Sequence, residues 1–282
     1  MLPSWLETVS DPILQATKAP SVAALHGELL RQWGSSEVWR LSYGLNSVIV
    51  KRGTDGQADE AGAYARFVVP LGLPAPELIH QQRDGEAGVL VLADVGRVTL
   101  EQEPTAEGFV AAAELLATIR GRSVGGPSEF PPERVKDMKD RIGRIGFDLA
   151  PLSEALAGLH REARTAVVHG DFVPKNLVTD GTRWTAIDWP GAYVAPHLSD
   201  LYTLVRDAVA LGHDREPIIA RYLDATGTEP SLVDRQMLVG GGCFYLVALR
   251  FIVEEGLRTI PESKNWINGL LAELEDVVGA LA

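Results

Sequence analysis

Cysteine, basic residues and long apolar runs are all scarce in this 282-residue sequence. The single cysteine, Cys243, excludes an internal disulfide, and we expect a reducing compartment, the cytoplasm. Acidic residues outnumber basic ones by 38 to 26, and no cluster of Lys or Arg offsets the net charge of −12. This balance argues against nucleic acid as a partner. The first ten residues lack the basic region of a signal peptide.

The longest apolar stretch, Met237–Leu249, is followed by Arg250 and is too short to span a bilayer, so no membrane partner is expected. Walker A, His-Glu-x-x-His and paired-cysteine metal motifs are also absent, which removes the common nucleotide and zinc chemistries that depend on them. What remains is an ordinary globular composition, 46% hydrophobic and 23% charged, long enough to bury a substantial core.

The most informative stretch lies between residues 167 and 189. Two strand-like runs, 167–168 and 177–178, bracket a loop that carries Asp171 and Asn176, and a third run ends at Asp188. Phosphoryl transfer needs a carboxylate that accepts a hydroxyl proton and hard oxygen ligands that hold Mg²⁺. The Asp-x-x-x-x-Asn spacing is that of a kinase catalytic loop. We therefore predict Asp171 as the catalytic base, with Asn176 and Asp188 as metal ligands.

Three segments together, His169–Asn176, Ile187–Trp189 and Ser199–Leu201, resemble the motif of the aminoglycoside phosphotransferase and choline kinase family. These are small-molecule kinases with a protein-kinase-like fold. The resemblance implies an α+β bilobal architecture, in which an N-terminal antiparallel sheet plus helix precedes a larger, mostly helical C-terminal lobe. It divides the chain into a nucleotide-binding lobe, residues 1–95, and a catalytic and substrate-binding lobe, residues 96–282.

A small polar turn joins two predicted strands, 37–41 and 47–51, near the start of the chain. Backbone N–H groups of such a turn can approach phosphates closely, although a plain hairpin is the alternative. The candidate nucleotide contacts here are Tyr43, Gly44, Asn46 and Ser47. Lys51 ends the second strand, where a kinase lysine pairs with the phosphates.

The partner of Lys51 is expected on the next helix, predicted over residues 57–69 and ending before Pro70. Glu60 is the candidate, with Asp59 as its competitor. The resemblance further implies that the backbone of Ala93 and Val95 bonds the adenine edge.

Periodicity predicts the other elements. Ser21–Trp33 carries leucines at helical spacing and is predicted as an amphipathic helix. A hairpin is predicted around Asp84-Gly85, and Gly240-Gly241-Gly242 predicts a close helix crossing or a kink. The later helices are predicted over residues 105–120, 149–164, 200–211, 218–223, 232–258 and 266–281.

The resemblance also gives roles to residues around the loop. His169 is expected to pack within it, and Asp200 to brace it, although a favourable helix-start carboxylate explains Asp200 equally well. Lys175 is either a phosphate contact or a solvated loop lysine. Three acidic residues lie where the family builds its acceptor pocket, and a solvated helix face is the alternative for each. They are Asp207, Glu254 and Glu255.

The implied cofactors are ATP and Mg²⁺, and the implied partner is a small hydroxylated acceptor: an aminoglycoside, choline, an amino-sugar or a related metabolite. A monomer or homodimer is expected. One alternative is a catalytically silent kinase-fold nucleotide-binding module. A remote alternative is a serine hydrolase, from Gly121-x-Ser123-x-Gly125, but that motif needs a preceding strand and a following helix. An Ala-rich helix precedes it and Gly126-Pro127 follows, so the match is attributed to chance.

Overall fold

The computed structural model describes residues 2–33, 36–54, 58–122 and 126–282. The chain divides into two compact units. The first comprises Met1–Arg97 and Val178–Pro190, and the second comprises Val98–Leu177 and Gly191–Ala282. The division into functional lobes at residues 95 and 96 stays a prediction. Gln57, the predicted helix start, and Ser123, the remote hydrolase candidate, lie outside the described residues.

The described residues form ten strands. In chain order they are β1 His26–Trp33, β2 Ser36–Tyr43, β3 Asn46–Gly53, β4 Leu78–Asp84, β5 Ala87–Ala93, β6 Val98–Thr99, β7 Ala166–Val168, β8 Leu177–Thr179, β9 Trp184–Ala186 and β10 Tyr193–Ala195.

The same part of the chain forms eleven α-helical segments. In chain order they are α1 Ser10–Thr17, α2 Glu60–Ala63, α3 Val69–Leu71, α4 Ala106–Gly121, α5 Glu133–Ile142, α6 Ala150–Glu162, α7 Ser199–Ala210, α8 Arg215–Thr226, α9 Pro230–Phe251, α10 Leu257–Thr259 and α11 Ile267–Gly279.

The first unit is built on an antiparallel five-stranded sheet in the order β1-β2-β3-β5-β4. Alternate residues of its central strands point to one face and bury an apolar cluster against the N-terminal segment. That segment contributes Leu6, Val9 and Ile13, of which the last lies on α1. The opposite face, which carries Lys51, is therefore the one left for polar chemistry.

The predicted helix over Ser21–Trp33 is wrong, because His26–Trp33 is the edge strand β1. The register of β1 on β2 shifts between Leu29 and Arg31. Such a bulge breaks the two-residue alternation that identifies a strand. Leu29 and Leu30, adjacent at the bulge, and Trp33 after it consequently fall at spacings that resemble a helix.

The helix after β3 continues further than predicted. It runs from α2 through a π-helical turn, Tyr64–Val68, into α3, and it includes Pro70. Helices accommodate Pro poorly where a regular i→i−4 bond is required, and the wider π-turn before it changes that pattern. The helix ends instead at Gly72, whose left-handed conformation closes it.

The second unit is mostly helical, and its strands β7 and β10 pair antiparallel. Its core is an apolar cluster to which α5, α6, α9 and α11 contribute. The helices predicted beyond residue 104 are present with shifted ends. Helix α5 was not predicted, because its charged surface leaves only three buried residues to mark it, namely Val135, Met138 and Ile142.

Helix α9 passes close to α7. A Cβ atom on Gly240 would lie 2.3 Å from the backbone nitrogen of Ser199, the first residue of α7. Only glycine permits this approach, so the predicted close helix crossing is confirmed.

The stretch Pro230–Thr259 is long and apolar enough, by length and composition, to cross a membrane. Met237–Leu249 is only part of this helix, which continues beyond both ends of that run, and the expectation of no membrane partner stays a prediction. Within the most apolar window, 61% is buried inside the protein, as in a core helix of a globular unit.

Candidate active site

A charged cluster lies in the first unit, where Lys51 on β3 meets two carboxylates. Its Nζ is 2.6 Å from Oε2 of Glu60, on α2, and it also donates a short hydrogen bond to Oδ1 of Asp188, which follows β9. The side chains of Lys51 and Glu60 are 9% and 1% exposed. The sequence therefore brings together a lysine and an aspartate that are 137 residues apart.

Glu60, not Asp59, is the helix residue that faces Lys51. Its second carboxylate oxygen, Oε1, accepts a hydrogen bond from the backbone N–H of Trp189 at 3.2 Å. Asp59 instead lies 3.7 Å from Arg83 on the protein surface. Glu60 thus links the lysine to the segment that carries Asp188.

Burial of the Lys51 ammonium disfavours its charge, but the Glu60 and Asp188 carboxylates outweigh that effect. Their charges and hydrogen bonds raise the pKa of Lys51 above its usual value. Lys51 therefore stays cationic throughout the physiological pH range. A fixed cation of this kind suits an anionic ligand such as a phosphate.

Asp188 has a left-handed backbone, with φ of +70°. Non-glycine residues in this region are uncommon, and they cluster at functional sites, although aspartate tolerates the region better than most. The conformation turns the chain directly after β9. The carboxylate can then face β3.

Arg31 on β1 was not predicted as a site residue. Its Nη1 lies 3.7 Å from Oδ2 of Asp188, so the aspartate faces two cations. No sequence pattern predicted this contact, because the segment was predicted as a helix and the strand register was unknown.

The polar turn between β2 and β3 lies away from this cluster. Tyr43 pairs with Asn46 across the turn, whereas Lys51 pairs with Val38. The five residues from Asn46 to Lys51 span about 17 Å of extended strand. These residues therefore do not lie beside Lys51, and the nucleotide contacts predicted for Tyr43, Gly44, Asn46 and Ser47 stay a prediction.

The polar side chains of that turn have other partners. Asn46 donates to the carbonyl of Thr17 at 3.2 Å, and Ser47 donates to Oδ2 of Asp94 at 2.7 Å. The same oxygen of Asp94 accepts from Nε of Arg40 at 2.8 Å. These contacts anchor the hairpin to α1 and to the end of β5.

The predicted adenine contacts follow at the end of β5. The backbone N–H of Ala93 donates to the carbonyl of Glu77 at 2.9 Å. It cannot serve a nucleotide without breaking that bond. Val95 is half-buried, two residues further on. Their nucleotide role stays a prediction.

In the second unit, Asp171 lies in the loop between β7 and β8. The side-chain amide of Asn176 donates to its Oδ2 at 2.7 Å and to its backbone carbonyl at 2.9 Å. Nζ of Lys175 lies 3.3 Å from the same Oδ2. Both contacts converge on one oxygen, and the side chain is 39% exposed, so Oδ1 is suited to receive an outside hydroxyl.

Asp200, on the first turn of α7, holds the start of this loop. Its oxygens accept the backbone N–H groups of His169 at 2.7 Å and Gly170 at 3.0 Å. Burial raises the pKa of Asp200, opposed by the charge of His169 and by these two hydrogen bonds. The predicted bracing contact is therefore present.

Two more residues shape the loop. His169 is buried, and its Nδ1 accepts the backbone N–H of Asp171 at 3.3 Å, so the ring packs within the loop. Gly170 has φ of +87°, and a Cβ there would lie 2.4 Å from the carbonyl oxygen of Gly191. Only glycine fits this position.

The three acidic residues predicted near an acceptor pocket have different surroundings. Asp207 contacts Nε of its neighbour Arg206 at 2.7 Å. Glu254 lies 3.4 Å from Arg141 and 3.6 Å from Arg250. With their charges met by arginines, Asp207 and Glu254 are poor candidates for binding an amine. Glu255 lies in the π-helical turn after α9, and its acceptor role stays a prediction.

The oxygen donors suit Mg²⁺ better than a softer metal. In the first unit Asp188 offers a carboxylate, and in the second Asn176 offers its amide oxygen, because its Nδ2 is engaged by Asp171. That both hold one metal ion stays a prediction. Among the residues that the structure describes, no group of three or more His, Cys, Asp or Glu is arranged to hold a metal. Mg²⁺ usually takes one or two protein oxygens and completes its coordination with phosphates and water.

Residues 28–233 match the family described as "Phosphotransferase enzyme family". The match covers most of the chain and includes every residue of the charged cluster and of the Asp171 loop. No curated protein matches the chain.

Solved structures of small-molecule kinases share the fold over nearly the full chain. Choline kinase LicA from Streptococcus pneumoniae has a TM-score of 0.67 at 17% identity, covering 97% of this chain and 100% of its own. Choline kinase from Cryptosporidium parvum has a TM-score of 0.65 at 12% identity, covering 98% and 96%. Aminoglycoside phosphotransferase APH(4)-Ia, in a complex with AMP-PNP and hygromycin B, has a TM-score of 0.63 at 15% identity, covering 96% and 97%. The predicted protein-kinase-like α+β fold is thereby confirmed.

Proposed function

The chain belongs to the phosphotransferase enzyme family, and from this premise we propose that it transfers the γ-phosphate of ATP to a hydroxyl group of a small polar molecule. The observation that carries the proposal is the buried Lys51, held by Glu60 and Asp188 within one unit. Burying a cation with two carboxylates costs desolvation free energy, which favours a functional role for the cluster. Kinases place a similar lysine–carboxylate arrangement at the phosphates of ATP.

Each residue then has a defined task. Lys51 binds phosphate oxygens, and Glu60 keeps it in position. Asp171 orients the acceptor hydroxyl and takes its proton as the γ-phosphoryl group is transferred. Asp188 and Asn176 are the proposed Mg²⁺ ligands, and bound Mg²⁺ supplies charge neutralisation at the phosphates. Asp200 supports the loop through its backbone hydrogen bonds.

Lys175 fits a supporting role in this scheme. Its Nζ lies 3.3 Å from Asp171 and is 39% exposed. A cation there favours the ionised form of the carboxylate, which is the form that accepts a proton. We propose that it assists Asp171 and not the nucleotide.

The acceptor class is proposed from the family alone. Its relatives include choline kinases and an enzyme crystallised with hygromycin B, an aminoglycoside. A hydroxylated cation, either an aminoglycoside or choline, is the first class to test. The net charge of −12 favours the approach of cationic molecules of this kind.

The test is Mg²⁺-dependent consumption of ATP against a panel of aminoglycosides, choline, amino-sugars and neutral sugars. We expect one class to stimulate turnover, and chelation of Mg²⁺ by EDTA to abolish it. The matched control is Asp188→Asn, which keeps the side-chain shape but removes the proposed metal-binding charge; it should bind ATP yet show no stimulated turnover.

Two negative outcomes separate the alternatives. ATP binding without turnover for any acceptor would favour the catalytically silent nucleotide-binding module. Absence of ATP binding by the folded wild-type protein, measured by thermal shift, would contradict both readings.

A further inference from the structure

Arg31 lies on the face of the sheet that carries Lys51. The register pairs Arg31 with Val38 on β2, and Val38 with Lys51 on β3. Residues directly opposite one another on antiparallel strands project to the same side. Two cationic side chains, separated by one valine, therefore face the same way.

A β-bulge produces this orientation. In a regular ladder, Leu30 would follow Leu29 and stand opposite Val38. The register shifts there, and Arg31 takes that place instead. Without the shift, Arg31 would project to the opposite face, toward the side covered by α1. Bulges are over-represented next to active sites, where they redirect a side chain in this manner.

Arg31 and Lys51 share Asp188 but contact different oxygens of its carboxylate. Nη1 of Arg31 lies 3.7 Å from Oδ2, and Nζ of Lys51 bonds Oδ1. The two cations differ in accessibility: the side chain of Arg31 is 37% exposed and that of Lys51 is 9% exposed. Arg31 can therefore meet a ligand from solvent while Asp188 keeps its guanidinium pointed at the cluster.

We propose that Arg31 is a second phosphate-binding cation for the nucleotide, an inference that rests on the proposed ATP-dependent function. A guanidinium presents paired N–H donors in a planar fork that matches two phosphate oxygens, whereas an ammonium acts as a single point of charge. Lys51 already divides its donors between two carboxylates. Arg31 adds the directional contact that the buried lysine lacks.

The test compares affinities for ATP, ADP and AMP, measured by calorimetry in the presence of Mg²⁺. Arg31→Gln should weaken ATP binding by about tenfold or more, because a charge-assisted hydrogen bond is lost. The loss should shrink from ATP to ADP and nearly vanish for AMP. Arg31→Lys should recover part of the ATP affinity, since it keeps the charge but not the fork.

Arg52→Gln is the matched control. Arg52 is the neighbour of Lys51 on β3 and projects to the other face, where its Nε lies 3.4 Å from Asp84 and its side chain is 32% exposed. The substitution removes one positive charge from the same sheet, with a similar ion pair and exposure. We expect its ATP affinity to match that of the wild-type protein.

A second variant tests the position of the arginine without changing composition. Exchanging the two residues, Leu30→Arg with Arg31→Leu, keeps the net charge but moves the guanidinium away from the place opposite Val38. It should lose ATP affinity as Arg31→Gln does.

The outcomes distinguish this inference from the proposed function. If the wild-type protein binds ATP and Arg31→Gln binds it equally well, the role of Arg31 is wrong and the proposed function stands. Equal weakening of ATP and AMP would also overturn the role, because it would not depend on the outer phosphates. If the wild-type protein binds no nucleotide, the proposed function fails and this inference fails with it.

Discussion

Lys51 and Asp171, the two residues at the centre of the proposed chemistry, are held in place by different means. Lys51 is buried, and its side chain is fixed by direct ion pairs to Glu60 and Asp188. Asp171 is 39% exposed, and its position is set mainly through the backbone of its loop, which Asp200 anchors by two N–H groups.

This difference predicts that substitutions near the two residues change different quantities. Changes around Lys51 should alter the free energy of unfolding, and changes at Asp171 should alter the reaction rate. Removing one partner of a buried ion pair leaves an uncompensated charge, so changes around Lys51 act on folding as well as on ligand binding. Substituting a half-exposed carboxylate leaves no buried charge uncompensated. A substitution of Asp171 should therefore change the reaction rate and not the free energy of unfolding. The following predictions test this division.

The largest effect is expected for Asp171→Asn. The amide keeps the shape and an acceptor for Asn176 but cannot take a proton, so kcat should fall by about 10²- to 10⁴-fold. The free energy of unfolding should change by less than about 0.5 kcal/mol. Steady-state kinetics and urea denaturation measure the two quantities. Retained kcat would remove Asp171 from the chemistry, and a large loss of stability would break the comparison.

Next comes Glu60→Gln, which takes one of the two carboxylates from Lys51. We expect a loss of roughly 3 kcal/mol in the free energy of unfolding, together with weaker ATP binding. The control is Asp59→Asn, one residue earlier, where the exposed pair with Arg83 is worth less than about 1 kcal/mol. Urea denaturation of both variants should separate them clearly, and equal stabilities would show that the Lys51 cluster is not coupled to folding.

The smallest effect concerns a buried group of the second unit outside the site. Burial, reinforced by the charge of Arg120, lowers the pKa of His197 to about 3. In the unfolded chain its pKa is about 6.5, so below that pH the unfolded state binds one proton more than the folded state. The free energy of unfolding should therefore fall by about 2 kcal/mol from this group as pH drops from 7 to 5.

The measurement is urea denaturation at pH 7 and pH 5 for the wild-type protein and His197→Gln. Carboxylates contribute equally to both proteins, so the difference between the two slopes isolates His197. Identical slopes would mean that the ring is protonated in the folded state.

The sequence predicted the loop well because its interactions are local. Asp171 and Asn176 are five residues apart, and the Asp-x-x-x-x-Asn spacing by itself brings their side chains together. Lys51 and Asp188 are 137 residues apart, and no sequence pattern predicted that their side chains are in contact. Periodicity contains no information about such a pair.

Strand register is what the sequence could not supply. Two hairpin connections flank β2, and both are small and polar in composition. Ser36 pairs with Gly53, two residues beyond Lys51. Lys51 therefore lies near the end of the hairpin that is opposite to the turn after Tyr43. Register also decided the placement of Arg31, and neither fact depends on local propensity.

The bulge in β1 has a consequence for how this protein can vary. Deleting Leu30 would join Leu29 directly to Arg31 and leave Arg31 opposite Val38, so the ladder would become regular and no later side chain of β1 would change face. Substitution and deletion of Leu30 would therefore both keep the Arg31 cation on the face that carries Lys51. The bulge thus marks a position where β1 can shorten by one residue without moving Arg31 away from Val38.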